Sequence, residues 1–372
     1  MTPSAKPPIR VGLTGLSSTG GWAATAHLPA LAAVEGLELA GLATSSIDSA
    51  RAAATAYGVP LAFDNVHQLA THDDIDLVVV AVKVPLHREL LLPILATGKP
   101  VLCEWPLAVG FAEAEELTKA ADGLRSFVGL QARSSPSMRY LRDLVADGYI
   151  GELLSTSLIA SGRMWGLPVT NRTLYLLDRA QGATMLTIPF GHTIDCLTMV
   201  LGEFTEITAT TSTRRSKMRN TDTGELVPMT AEDQIAVTGV LANGAVASVH
   251  YRGGSSRGTN FLWEINGTEG DLRVHTDSGS LQLGRATIYG SRGGDSALAE
   301  LAVPARYDLY PGLAGQPAHN VAHAYTRILH DLIEDTRGVP DFTHALDRHQ
   351  LLEAIQHTAA TGVRHQISRR TE

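Results

Sequence analysis

The sequence predicts an α/β chain: a doubly wound parallel sheet of Rossmann type over residues 1–130, then an α+β domain with a large open antiparallel sheet over residues 131–372. Three observations carry this. Strand-like and helix-like runs alternate through the first 130 residues, the pattern that puts helices on both faces of a parallel sheet. A glycine-rich turn joins the first strand to the first helix. Beyond residue 131 the strands lengthen and tight turns connect them, which is antiparallel texture.

The elements follow in order. "IRVGLTGL" is a strand running into glycines, and "WAATAHLPALAAV" repeats its apolar residues at helical spacing. "LELAGLAT" reads as the second strand, and the alanine-rich helix "IDSARAAATAYG" is closed by Gly58. "IDLVVVAV" is apolar throughout, as a parallel strand covered on both faces must be. "HRELLLPILATGK", "PVLCE", "FAEAEELTKAADG" and "SFVGL" continue the alternation. In the second domain "PSMRYLRDLVADGYIG" is helical, and "DQIAVTGVLANGAVASVHYRGG" is a hairpin turning at Asn243-Gly244. "FLWEINGTEGDLRVHT" and "SLQLGRATIYG" add antiparallel strands, and helices at "NVAHAYTRILHDLIED" and "ALDRHQLLEAIQHTAATG" close the chain.

Composition removes several function classes. A net charge of −8 argues against a nucleic-acid partner, and the densest basic run, "TRRSKMR" (213–219), reads as a solvated loop. Cys103 and Cys196 stand far apart in apolar surroundings, so neither a disulfide framework nor a metal site is expected. The start "MTPSAKPPIR" has no apolar core and reads as a short tail, not a signal peptide. The longest apolar run, "LVVVAV", is far too short for a membrane span, which leaves a cytoplasmic protein as the expectation.

"VGLTGLSSTGG" (11–21) lies where a dinucleotide pyrophosphate rests in this kind of fold. Gly12, Gly15, Gly20 and Gly21 let the backbone approach phosphate, and Ser17, Ser18 and Thr19 add hydroxyls. Trp22 heads the helix that follows. The second strand ends at Thr44, Ser45 and Ser46, where a carboxylate would hold an adenosine ribose diol; Asp48 and Arg51 are near. NAD is the expected cofactor, with NADP left open. Val82, Lys83, His87, Glu104, Trp105 and Pro106 stand at the tips of later strands and complete the expected cofactor contacts, His87 as a cap or structural residue.

Several motifs in order resemble the glucose–fructose oxidoreductase, inositol dehydrogenase and MocA (Gfo/Idh/MocA) family: the glycine turn with "HLPAL", "IDLVVVAVKVPLH", "GKPVLCEWPLA", "GYIGE", "FGHTID" and "INGTEGDLRV". Their wording is closest to the branch of the fungal galactose-pathway repressors and their bacterial relatives. The resemblance implies a Rossmann domain, a nicotinamide dinucleotide and a sugar. The family's catalytic pattern is Glu-Lys-Pro after a strand, and an aspartate four residues before a histidine. Here Trp105 stands at the lysine position and Ile188 at the aspartate position; only His192 remains. An indole neither takes nor gives a proton at ordinary pH, so the usual relay is rebuilt or absent.

The remaining candidates follow from residue type. Asp195, three residues past His192, is placed to orient its ring, and Lys83 can restore a charge lost at Trp105. Trp105 offers a face to a sugar ring or to the nicotinamide. "SGRMWGLPVTNRTLYLLDRAQ" gathers Arg163, Arg172 and Arg179 around Trp165 and Tyr175, residue types that suit an anionic sugar. Gln131 and Arg133 are further substrate candidates. The favoured expectation is a redox-neutral NAD-dependent glycosidase acting, in a cleft between the domains, on an anionic glycoside such as a sulfoquinovoside. Such enzymes occur within this fold family. An NAD(P)-dependent sugar dehydrogenase and a non-catalytic sugar sensor are the alternatives. A homo-oligomer, dimer or tetramer, is expected from the open sheet.

Overall fold

The computed structural model describes residues 7–283 and 285–367; of the tail expected over "MTPSAKPPIR", residues 1–6 lie outside them, and Ile9 and Arg10 already belong to the first strand. Six strands form the parallel sheet: β1 (Ile9–Thr14), β2 (Leu37–Ala43), β3 (Leu61–Phe63), β4 (Leu77–Val80), β5 (Val101–Glu104) and β6 (Ser126–Gly129). Their order is β3-β2-β1-β4-β5-β6, so the chain reverses direction across the sheet between β1 and β4. That switch point is where α/β sheets hold ligands. Every residue of β4 is buried, which explains its unbroken apolar run.

The helices of this sheet are α1 (Leu28–Ala33), α2 (Ile47–Tyr57), α3 (Val66–Thr71), α4 (His87–Leu95) and α5 (Phe111–Ala120). Local chemistry sets α2: Ser46 caps it by accepting from the Ser49 amide, and Gly58 ends it at φ 68°. The first helix departs from the regular α-helix that the spacing predicts. It begins as a π-turn, Ala23–His27, before α1. Pro29 has no N–H for the carbonyl four residues back, so the ladder widens just before it.

The chain forms two units. One comprises the chain up to Gln131 together with Tyr310–Asp347; the other comprises Ala132–Leu309 and the chain from Arg348 on. The division expected at residue 130 therefore misses a return. Helix α8 (Ala318–Ile333) belongs to the first unit because Ala318, Val321, Ala322, Tyr325 and Ile328 are buried in the same core as Ala23, Ala26, Ala30 and Leu31.

In the second unit α6 (Pro136–Ala146) leads to β7 (Leu153–Gly162), and α7 (Gly191–Leu201) leads to β8 (Phe204–Ser212). The short ribbon of β9 (Lys217–Arg219) and β10 (Leu226–Pro228) includes part of the basic run expected to be loop. β11 (Gln234–Leu241) and β12 (Val246–Gly253) form the expected hairpin, with Gly244 at φ 89°. β13 (Phe261–Gly267), β14 (Gly270–His275), β15 (Thr287–Arg292), β16 (Ala299–Glu300) and β17 (His365–Gln366) complete it. The last helix, α9 (Phe342–Thr361), carries the chain from one unit into the other.

This second sheet has nine strands in the order β16-β15-β14-β13-β7-β12-β11-β8-β17. It is mixed rather than purely antiparallel, because β7 and β12 run parallel from Ser155↔Val246 to Gly162↔Gly253. The strand expected from Ser280 begins only at Thr287, and Gly284 lies outside the described residues. Among the described residues no helix is long and apolar enough to cross a membrane.

Candidate functional site

The glycine turn leaves β1 at Thr14 and is forced by sterics. Gly15 sits at φ 85°, and a Cβ there would lie 2.2 Å from the Ala81 carbonyl oxygen, so any other residue collides with the end of the next strand. Ser17 closes the turn: its carbonyl accepts from the Gly20 amide at 3.0 Å and its hydroxyl from the Thr19 amide at 3.2 Å. Tyr57 at the end of α2 donates to the same carbonyl at 3.0 Å and pins the turn from outside. Ser18 and Thr19 are exposed at its crest. Gly12 lies earlier, inside β1, where its missing side chain makes room for Leu69 and Ile75 rather than for a phosphate.

At the β2 tip the expected hydroxyls are largely spent on one another. Thr44 donates to the Ser46 carbonyl at 2.9 Å and accepts from the Ser49 hydroxyl at 2.7 Å. Ser45 is exposed, as are Asp48 and Arg51.

The β5 tip holds a buried polar network centred on Glu104. Glu104, 8% exposed, accepts from the Trp22 indole at 2.8 Å and from the Gln131 amide at 2.7 and 2.6 Å. His27 Nε2 is 3.3 Å from its other flank, and His27 Nδ1 is 2.7 Å from the Tyr325 hydroxyl. Burial drives the Tyr325 phenol far above its ordinary pKa, so it keeps its proton; where that proton is given to Nδ1, Nε2–H faces Glu104. Gln131, expected at the substrate, therefore serves Glu104. His27 and Tyr325 were missed by sequence reasoning. A histidine inside an alanine-rich helix was the available signal for the first, and Tyr325 carried none.

Trp105 follows, 5% exposed, with a cis peptide bond to Pro106. Lys83, by contrast, is exposed just past β4. His87 is fully buried, with Nε2 3.1 Å from the Val82 carbonyl and Nδ1 3.2 Å from that of Leu107. Burial lowers its pKa, and burial pushes the neighbouring Cys103 thiol up. The cysteine is inert core, not a nucleophile.

In the second unit His192 is fully buried in the first turn of α7. Thr193 beside it shares a 2.6 Å hydrogen bond with the buried Tyr251 hydroxyl, which ties this turn to β12. Asp195 is also fully buried, and its carboxylate takes a 2.7 Å ion pair from Arg133. Arg133, a substrate candidate in the sequence, is tied to α7 through this pair. Ile188 lies in a π-turn, Leu186–Phe190, ahead of the helix.

In the arginine-rich stretch, Trp165 and Arg179 are engaged within the unit. The Trp165 indole, 4% exposed, donates to the Leu176 carbonyl at 2.9 Å, so its N–H is used internally. Arg179 pairs at 2.9 Å with Glu232, a fully buried acid that no motif announced. Arg163 and Arg172 are exposed, and Tyr175 is half-buried.

Residues 9–130 match the oxidoreductase family with the NAD-binding Rossmann fold, and residues 136–276 match the Gal80p C-terminal domain. The galactose/lactose metabolism regulatory protein GAL80 of Saccharomyces cerevisiae is 30% identical over 365 residues, covering 90% of this chain and 82% of that protein. The chain belongs to the Gfo/Idh/MocA family. Within that family, the dehydrogenase aclE of Aspergillus oryzae is 34% identical over 55% of this chain and 58% of its own length. The 1,5-anhydro-D-fructose reductase of Ensifer adhaerens is 26% identical over 69% and 74%. A super-repressor mutant of Gal80p from Saccharomyces cerevisiae superposes with a TM-score of 0.86 at 26% identity, over 96% of this chain and 98% of that one. Levoglucosan dehydrogenase, solved with NADH and levoglucosan, shares the fold with a TM-score of 0.84 at 20% identity, over 97% and 99%. The first unit thus holds an NAD-binding Rossmann domain over residues 9–130.

Proposed function

We propose that the protein is an NAD-dependent sugar oxidoreductase that works as a homo-oligomer. The observation that carries this reading is a sterically enforced glycine turn, closed against Ala81, in a chain that keeps a buried histidine at the start of α7. The sugar-reductase and sugar-dehydrogenase relatives support a carbohydrate substrate.

Bound NAD supplies a hydride acceptor for the carbon that bears the reacting hydroxyl. The protein's own residues handle the proton and the positioning. His192 takes the hydroxyl proton, held in place by a helix start that Tyr251 and the Arg133–Asp195 pair fix. Lys83 supplies positive charge at the β4 tip, and Trp105 presents an aromatic wall where the family has lysine. With Arg179 paired to Glu232 and two other arginines exposed, little remains to select an anion. The substrate is therefore an uncharged sugar or polyol, and the motive for a sulfoquinovoside falls away.

A second reading, a dinucleotide-dependent regulator, is favoured by Trp105 at the lysine position together with the 30% identity to GAL80. One assay separates these. The protein is incubated with NAD or NADP and a panel of sugars, polyols and glycosides while NADH or NADPH absorbance is followed. Reduced cofactor should form in step with one sugar's oxidation, and His192→Ala should slow it by about 10²-fold or more. Cofactor binding with no turnover establishes the regulator. Glycoside cleavage without accumulation of reduced cofactor would restore the redox-neutral glycosidase.

A further inference from the structure

His87 stands apart from the residues just assigned, because its ring reaches two loops at once. Val82 lies past the end of β4 and immediately precedes Lys83; Leu107 lies past the end of β5, two residues beyond Trp105. Beyond the strand ends the sheet ladder no longer ties these segments together. The imidazole lies within hydrogen-bond reach of both, at 3.1 Å from the Val82 carbonyl and 3.2 Å from that of Leu107. Its Nδ1 is also 3.3 Å from Cys103 Sγ.

The chemistry of the ring suits a bridge. A neutral imidazole carries one N–H. With the proton on Nε2 it donates to Val82 and accepts from the Cys103 thiol, which burial keeps protonated. With the proton on Nδ1 it donates to Leu107. An apolar residue of the same size would fill the space and leave buried carbonyl groups facing it, a cost of about 1–3 kcal/mol for each group left unsatisfied.

We propose that His87 is a positioning residue: by giving its single N–H to one or the other of these two carbonyls it holds both loops against one ring, sets the spacing of the Lys83 and Trp105 loops and so tunes how the nicotinamide end of the cofactor is received. The part concerning the cofactor rests on the function proposed above; the bridge itself does not.

The test therefore has two arms, both on the full chain. The first is amide hydrogen exchange of the cofactor-free protein, read in peptides covering residues 81–86 and 104–109. His87→Ala should speed exchange about tenfold in both segments together, the scale of one lost hydrogen bond or slightly more. Leu91→Ala, a fully buried core change on the same helix, should lower the melting temperature without singling out these segments. The second arm is NADH affinity, where His87→Ala should raise Kd about tenfold and Leu91→Ala leave it within about twofold. If His87→Ala does not fold, His87→Gln decides. Its amide reaches the Nε2 position alone, so protection should survive at 81–86 and be lost at 104–109. Exchange that rises in one segment only with alanine, rises evenly over the molecule, or is reproduced by Leu91→Ala overturns the bridge. Unchanged protection in the glutamine variant does the same. A wild-type protein that binds no NADH overturns the proposed function instead, and the exchange arm still decides the bridge.

Discussion

Glu104 accepts from Trp22 and Gln131 and has His27 Nε2 at 3.3 Å, and the first of these lies 82 residues away in sequence. Glu104→Gln keeps the shape but turns one acceptor into an NH2 group facing other donors. It should destabilise the fold by roughly 1–3 kcal/mol, seen as a lower urea midpoint with unchanged slope. Arg133→Met should cost more, about 3–5 kcal/mol, because the fully buried Asp195 loses its cation; restoring the charge with Arg133→Lys should recover part of it. An unchanged midpoint in Arg133→Met would mean that the pair carries no stability. These roles were only half legible in the sequence. The motif placed Glu104 and Trp22 at the right strand tip and turn, and placed Asp195 one turn from His192. It could not show that Gln131, Arg133 and Arg179 face carboxylates, since those partners lie far off along the chain and no motif contains Glu232.

At the scale of elements, the tight turn after β1 makes a sharp demand. Gly15→Ala must hold φ near 85° and also push against the Ala81 carbonyl. The conformation alone costs roughly 1–2 kcal/mol, and NADH binding should be lost before folding is. Titration of a folded Gly15→Ala protein showing wild-type affinity would remove the turn from the cofactor site. Helix α4 adds a pH signature through His87. Burial holds the folded ring below its ordinary value of 6.5, so as pH falls the unfolded chain binds the proton first. Stability is then full above about pH 6.5 and declines below it, by about 1.4 kcal/mol per pH unit until the folded ring titrates. The difference between wild type and His87→Gln isolates this slope from the other histidines; parallel curves would rule it out. Short-range chemistry made many elements readable, such as the Gly58 helix end and the Asn243-Gly244 hairpin, while Ser46, read as a cofactor contact, is the N-cap of α2. The parallel pairing of β7 with β12 was not readable, because nothing in either strand names its neighbour.

At the scale of the molecule, the change of texture near residue 131 marks one boundary, but the apolar stripe of α8 does not say which core it enters, so its return to the first unit stays hidden. The nine-stranded sheet poses a different problem. One face is core, with Leu158, Val249, Tyr251, Phe261 and Trp263 buried. On the other face the register aligns Ala236, His250, Ile159, Leu262 and His275 in one row across five strands. Ile159 is 40% exposed and Val246, four residues before His250 on the same face of β12, 58%. The neighbouring row sets Glu264 opposite Arg273, so the face carries both signs of charge and can complement a copy of itself turned about a two-fold axis. We propose that a second copy covers this face. Light scattering should then report at least twice the chain mass, and Ile159→Lys should shift it towards the single chain, because two like charges would meet near the axis in an apolar setting. A wild-type protein of single-chain mass at neutral pH would refute the assembly, and a dimer indifferent to Ile159→Lys would place its interface elsewhere.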